Sequence, residues 1–293
     1  MDKMKYEIYH ENIDHTPPDF PYNIYLCSIP LDFTSVKMHW HDEAEIIVIK
    51  KGEGLVNVDL TQHNVSAGDI IFVLPGQLHS IEQKNHSVME YENIIFKPTM
   101  LRSPGHDSCG DSFIAPLFSG EIGIPHVITP ECSFHADAAE AIYRIDRLSE
   151  NRPYGFQLAL KGCLFQLMFL LVTHSENDKT RTVGIKSLEK IKFILTFIAE
   201  NYHRSISIEE IAGKCYYSKS YFMKFFKENM GMGFVQYLND YRLEAAAGLL
   251  SRADDNILDI AISAGFDNLS YFNRCFKKKF GVTPGKYRSG GIR

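Results

Sequence analysis

Four residues in the N-terminal third carry side chains able to do chemistry. In the stretch MHWHDEAE, residues 38–45, His39, His41 and Glu45 follow the pattern H-x-H-x3-E, and His79 closes the segment PGQLH. Imidazole nitrogens with a carboxylate suit a divalent transition metal, and such a set leaves positions open for other ligands. The same groups also suit a polar pocket for a small effector without any metal, or a purely structural brace. On a strand, alternation puts His39 and His41 on one face and Trp40 on the other, and Glu45 keeps that parity if the strand resumes after residues 42–44.

The elements that must position these groups read as strands. Tyr22–Ile29, Glu45–Ile49, Leu55–Leu60, Ile70–Leu74 and Val88–Phe96 are short and rich in β-branched or aromatic residues. Turn signals such as Lys51-Gly52 and Ala67-Gly68-Asp69 separate them, which predicts a barrel or sandwich. Residues 98–131, with several prolines and glycines, are expected to be irregular. Helices follow at Ala136–Ser149 and Phe156–Thr173, broken by Asn151, Arg152 and Pro153. In the second, Phe156, Leu160, Cys163, Leu164, Leu167, Leu170 and Leu171 form one stripe at helical period. Leu158, Phe165, Phe169 and Val172 fall on another side, for a partner subunit or for burial within one chain. Polar residues 174–184 are a candidate linker.

The last 109 residues are helical and repeat themselves. Ile208–Ala212 matches Ile257–Ala261 at an offset of 49, and Ser220-Tyr221-Phe222 matches Ser270-Tyr271-Phe272 at an offset of 50. Each copy holds a short helix, a tight turn and a second helix, with Ser207, Ser218, Asn256 and Asn268 placed to cap them. That is helix-turn-helix architecture, whose second helix enters the major groove of DNA. Arg binds guanine bidentately and Asn binds adenine, so Arg274 and Asn273 are the expected base readers. Lys227 and the run Lys277, Lys278, Lys279 sit where phosphates would pass. A helix over Phe234–Leu250 would hold the two reading helices about one DNA turn, roughly 34 Å, apart.

Charge divides along the same line. The chain carries 31 Lys+Arg and 36 Asp+Glu, yet residues 185–293 hold 17 against 11 and the remainder 14 against 25. A basic C-terminal segment of +6 beside an acidic remainder of −11 points to a polyanion as partner of the tail. A hydrophobic share of 45% fits globular domains and excludes a disordered or fibrous chain. No apolar run is long enough for a membrane span, residues 1–10 lack a signal-peptide core, and six scattered cysteines form no CxxC pair. Reduced thiols in a cytoplasmic protein are the expectation.

Two resemblances add to this reading. DIAISAGFDNLSYFNRCFKKKFGVTPGKYR, residues 259–288, closely resembles the signature of AraC/XylS-type transcription regulators, and IEEIAGKCYYSKSYFMKFFKENMG, residues 208–231, resembles their first helix-turn-helix. The resemblance places base-contacting positions at Ser220, Met223 and Lys224, and at Leu269, Ser270, Asn273 and Arg274. Lys219 and Asn268 begin the two reading helices, and Lys277 and Lys278 follow on the second. The pattern from His39 to Gly52, followed by Gly68, Pro75 and His79, resembles the two motifs of the cupin barrel, with Gln83 where cupins often carry Asn.

Together these imply an α+β multidomain chain: a cupin-like barrel over 1–131, a helical dimerisation hairpin over 132–184, and an all-α double helix-turn-helix over 185–293. The expected function is transcription regulation by a homodimer on double-stranded DNA. A small-molecule effector, a carbohydrate by preference, is expected at His39, His41, Glu45 and His79, and RNA polymerase would be a partner of an activator. A divalent metal at those four residues stays open. The rival is a metal-dependent cupin enzyme fused to a DNA-binding tail.

Overall fold

The computed structural model describes residues 15–103, 105, 107–175, 185–252 and 255–289. The first fourteen residues and most of the expected linker, from 176 to 184, lie outside the described residues. The chain divides into two compact units with a boundary between Gly184 and Ile185.

In the first unit the strands are β1 (Tyr22–Ile29), β2 (Ser35–His39), β3 (Ala44–Val58), β4 (Thr61–Ser66), β5 (Ile70–Val73), β6 (His79–Gln83), β7 (Met89–Phe96) and β8 (Val127–Ile128). They follow the path β1-β7-β3-β5-β8, while β3 also pairs with β4 and with β6, and β6 pairs with β2. The two strands expected at Glu45–Ile49 and Leu55–Leu60 are therefore one fifteen-residue strand. Its first half pairs with β5 and β7 and its second with β4 and β6. Lys51-Gly52 is not a turn but the bulge that bends β3 between these partners, where the register against β7 slips. Gly52 has φ +79°, and a Cβ there would lie 1.8 Å from the Val88 carbonyl oxygen, so glycine is required.

Alternation along β3 assigns its faces. Ala44, Ile46 and Val48 join Ile94 and Phe96 of β7 in a core with two helices, α2 (His135–Asn151) and α3 (Phe156–Thr173). Each large apolar side chain buried there contributes about 1.5–3 kcal/mol. Glu45, Ile47 and Ile49 are buried on the opposite face, within the barrel. In α3, Leu160, Cys163, Leu164, Leu167, Leu170 and Leu171 are buried as the stripe predicts. Val172 packs on this core too, correcting its assignment to the outer side, whereas Leu158, Phe165 and Phe169 are exposed. α3 is long and apolar enough to cross a membrane by length and composition alone, but here its buried stripe lies against the sheet.

The stretch expected to be irregular holds a 3-10 turn at Pro98–Leu101, a π turn at Gly110–Ile114 running into α1 (Ala115–Phe118), and β8. Met100, Leu101, Ile114, Leu117 and Ile128 close one end of the same core.

The second unit contains α4 (Ile185–Asn201), α5 (Ile208–Lys214), α6 (Lys219–Met230), α7 (Phe234–Arg252), α8 (Ile257–Ser263), α9 (Leu269–Phe280) and α10 (Pro284–Arg288). All four expected caps form: Ser207 accepts from Glu210 N–H, Ser218 from Tyr221, Asn256 from Asp259 and Asn268 from Tyr271. Helix α7 is the shared spine. Its Phe234 and Tyr237 take the Phe222 and Phe226 rings of α6, and its Leu243, Ala246, Ala247 and Leu250 pack with Phe272 and Phe276 of α9.

Candidate functional site

Strand pairing assembles the histidine cluster. β2 ends at His39, which lies opposite His79 of β6 after a register slip, and Val58 of β3 flanks His79 on the other side. His41 falls beyond the strand, so the two histidines do not share a strand face as expected. Their rings converge nonetheless, with centroids 4.1 Å apart for His39–His79, 5.0 Å for His41–His79 and 5.7 Å for His39–His41. One nitrogen from each ring and a carboxylate oxygen of Glu45 all lie within 4.8 Å of one another. His41, Glu45 and His79 are buried, and His39 is partly so.

Backbone carbonyls set the ring orientations. Nδ1 of His39 donates to Lys37 O at 2.8 Å, Nδ1 of His41 to Glu43 O at 3.1 Å, and Nδ1 of His79 to Gln77 O at 3.0 Å. A carbonyl only accepts, so each Nδ1 holds a proton and, in a neutral ring, each Nε2 presents a lone pair. Yet Nε2 of both His41 and His79 lies 3.0 Å from the same oxygen, Oε2 of Glu45. Such contacts are attractive only when the rings carry a second proton or a cation stands among them. Burial alone would raise the Glu45 carboxyl; the His79 and His41 rings outweigh it and hold the pKa well below the usual value. Burial, with the neighbouring His79 and His41 charges, pushes His39 well below the ordinary imidazole value. The donor set fits a divalent transition ion, with each ring fixed from behind by a main-chain oxygen.

Two neighbours escape the sequence pattern. The His15 ring centroid lies 5.6 Å from that of His41, its carbonyl tied down by Asn23 at 2.9 Å and the Tyr25 hydroxyl at 3.2 Å. Glu43 is buried with Oε2 3.6 Å from His41 Nδ1 and Oε1 3.8 Å from Lys97 Nζ. His15 meets the cluster only through the tertiary fold and has no sequence signal. Glu43 sits inside the HDEAE run and was readable as a third acid.

The expected DNA-reading residues lie on the two second helices. Lys219, Ser220, Met223, Lys224 and Lys227 are exposed on α6; Ser270, Arg274, Lys277 and Lys278 are exposed on α9, with Leu269 and Asn273 half-buried beside them. Lys219 pairs with Glu209, and Lys224 lies 3.8 Å from Glu228. The Arg274 guanidinium sits 5.3 Å above the Tyr271 ring, whose hydroxyl accepts from Asn239 at 3.0 Å. Asn268 uses its side-chain oxygen to cap α9 at 2.8 Å, which leaves its amide nitrogen for any other partner. Lys279 departs from the expected phosphate row: it turns back onto α7, 2.8 Å from Asp240 O and 2.9 Å from Glu244 Oε1. Exposed Tyr216, Tyr221 and Tyr271 near these helices were not singled out by sequence reasoning.

A family model described as a helix-turn-helix domain matches residues 211–290, and one described as an AraC-like ligand binding domain matches residues 24–114. The uncharacterized HTH-type transcriptional regulator YdeC of Bacillus subtilis (strain 168) is 25% identical over 283 residues, spanning 95% of each chain. The HTH-type transcriptional activator RhaR of Shigella flexneri serotype 5b is 26% identical, spanning 85% of this chain and 86% of its own. Among solved structures, fatty-acid-bound ToxT from Vibrio cholerae matches at a TM-score of 0.43 and 16% identity, over 91% of this chain and 94% of that one.

Proposed function

The chain belongs to the AraC-type transcription regulators, with an AraC-like ligand-binding domain and a helix-turn-helix domain, and from that premise we propose that it is a cytoplasmic, effector-controlled homodimer. In this reading a small polar effector, a carbohydrate by the chemistry of its site, binds among His39, His41, Glu45 and His79. Binding shifts the pairing of two subunits, so that their reading helices match or miss spaced half-sites on DNA. The effector must prefer one pairing; equal affinity for both would move nothing. Arg274 and Asn273 read base edges with Ser220, Met223, Lys224, Leu269 and Ser270. Lys219, Lys227, Lys277, Lys278 and Asn268 hold the phosphate backbone. Exposed Leu158, Phe165 and Phe169 on α3, with Tyr143 on α2, support a subunit contact there. If the protein activates transcription, as the name of RhaR says of that relative, RNA polymerase is a further partner.

One observation carries the sensing half: polar and ionisable side chains converge inside the barrel, where apolar filling would cost the fold less. A panel of sugars tested by thermal shift checks it. A true effector at about 100 times its dissociation constant adds about 2.7 kcal/mol of stability. Sequencing the genomic fragments that the protein retains, with and without the panel, should return paired half-sites. Retention no better than on random competitor at near-physiological salt, under every condition, overturns the reading.

The convergence of two Nε2 atoms on one oxygen of Glu45 favours a second occupant, a divalent metal held by these four side chains. Such an ion would supply an anchor for effector hydroxyls, and in the rival reading a Lewis acid for catalysis. Metal analysis of purified protein and of its His41→Ala variant separates these cases. A metal lost with His41, together with a lost chemical turnover and intact DNA control, favours the enzyme.

A further inference from the structure

The sheet face that packs on α2 ends in charges that neither DNA reading nor the histidine cluster uses. Along β3 the apolar row Ala44, Ile46 and Val48 continues to Lys50, and along β7 the row Phe96 and Ile94 continues to Glu92. Lys50 Nζ lies 3.2 Å from Glu92 Oε1 and 3.0 Å from Asp146 Oδ2, and Asp146 belongs to α2. Beside them the hydroxyls of Tyr22 on β1 and Ser149 on α2 are 2.7 Å apart, with Arg152 at the α2 C-cap. One ammonium thus serves two carboxylates across the sheet–helix boundary, and Glu92 is buried. Two carboxylates in a poorly hydrated place do not both ionise freely, so one of the pair resists losing its proton.

We propose that Lys50, Glu92 and Asp146 form a proton-operated latch between the barrel and α2, closed while Glu92 keeps its proton and loosened when it ionises. Burial, then the hydrogen bond and charge of Asp146, push Glu92 up to about 7, with Lys50 opposing. Burial lowers Lys50 but the two acids outweigh it, so the ammonium stays charged. Burial also raises Tyr22, so its hydroxyl keeps its proton throughout. Glu92 is raised above its ordinary 4.5, so its contribution is complete below that value and is lost as pH rises through about 7. The latch would therefore give the α2–α3 hairpin a pH-dependent hold on the barrel, whether or not the barrel takes an effector.

Infrared spectroscopy of the full-length protein in heavy water tests the proton itself. A protonated-carboxyl band should titrate with a midpoint near pH 7 and be absent in Glu92→Gln. Thermal unfolding between about pH 6 and about pH 8 tests the coupling. Wild type should lose several degrees more than Glu92→Gln or Asp146→Asn over that span. Amide exchange along α2 should quicken with pH beyond the intrinsic rate in wild type only. No such band, a band that persists in Glu92→Gln, or parallel unfolding profiles in all three proteins overturns the latch. Should Glu92→Gln fail to fold, Asp146→Asn and the wild-type band decide alone: a wild-type midpoint far from 7, or a band unmoved by Asp146→Asn, is equally fatal.

Discussion

The two helix-turn-helix copies follow one plan but solve its tightest point differently. At the turn, copy two uses Gly265 with φ +85°, buried so closely that a Cβ would lie 2.2 Å from Tyr202 O and 2.7 Å from Arg242 Nε. The corresponding residue of copy one is Tyr216, also left-handed at φ +59°, but 90% exposed, with the Lys190 ammonium 5.4 Å above its ring. The backbone demand is the same; what differs is whether neighbours crowd the Cβ. The wall that Gly265 faces is itself pinned, because Arg242 of α7 donates to Tyr202 O at 2.8 Å and Arg204 O at 2.7 Å. The reading helices differ as well. α6 carries Lys219, Lys224 and Lys227 against Glu228, for +2, and α9 carries Arg274, Lys277, Lys278 and Lys279, for +4.

The turn gives the sharpest way to break this contrast. Gly265→Ala should cost roughly 3 kcal/mol or more, from left-handed strain plus a backbone clash. Tyr216→Gly should stay within about 1 kcal/mol, because relief of strain offsets the added freedom of the unfolded chain. Denaturant midpoints of the two variants check both. Similar losses at the two positions would mean that the copies are clamped alike.

The repeat itself was legible because its rules are local. Capping residues three positions before their partners and aromatic residues at helical spacing survive any tertiary context, and Ser218 and Asn268 could be placed from sequence. The barrel was less legible. β2, β4 and β6 include Lys37, Gln62, Asn64 and Glu82, and eleven of their sixteen residues are at least partly open to water, so no apolar run announces them. Lys51-Gly52 has the composition of a turn, and only the proximity of Val88 turns it into a bulge. Three histidines and Glu45 were readable as one set, because motif spacing encoded what strand pairing later built. The Lys50–Glu92–Asp146 group was not: its members lie 42 and 54 positions apart along the chain and meet only after β7 pairs with β3 and α2 covers both.

The reading helices sharpen the comparison at the level of DNA. Arg274→Ala should lower affinity for the native operator by roughly 1–3 kcal/mol and relax one base preference, as loss of a bidentate contact requires. The counterpart, Lys224→Ala, should cost less and relax its base preference more weakly. A lysine presents a point charge, and this one already has Glu228 3.8 Å away. Binding titrations on operator variants decide; equal relaxation at both half-contacts would make the copies equivalent readers.

Caps separate the copies by a smaller amount. Asn268 accepts from Tyr271 N–H at 2.8 Å, whereas Ser218 accepts from Tyr221 N–H at 3.3 Å, near the limit of a useful bond. Asn268→Ala should therefore cost about 1 kcal/mol of stability and Ser218→Ala a fraction of that. Calorimetry of the two variants should show the larger fall in Tm for Asn268→Ala, and the reverse order would contradict the geometry.

The smallest expected effect tests where affinity comes from. Glu228 on α6 stands where α9 has Lys278, so a pair of single changes can level the two helices. Lys278→Ala removes one phosphate contact and should flatten the log–log salt dependence of binding by about 1, on any sequence. Glu228→Lys should steepen it by a similar amount, and it also frees Lys224 from its acidic neighbour. Neither change touches a base-reading position, so preference among operator variants should stay fixed while the salt slope moves in opposite directions. If Glu228→Lys left the slope unchanged, α6 would lie too far from the backbone for its cations to matter. Copy two would then carry the electrostatic attraction alone.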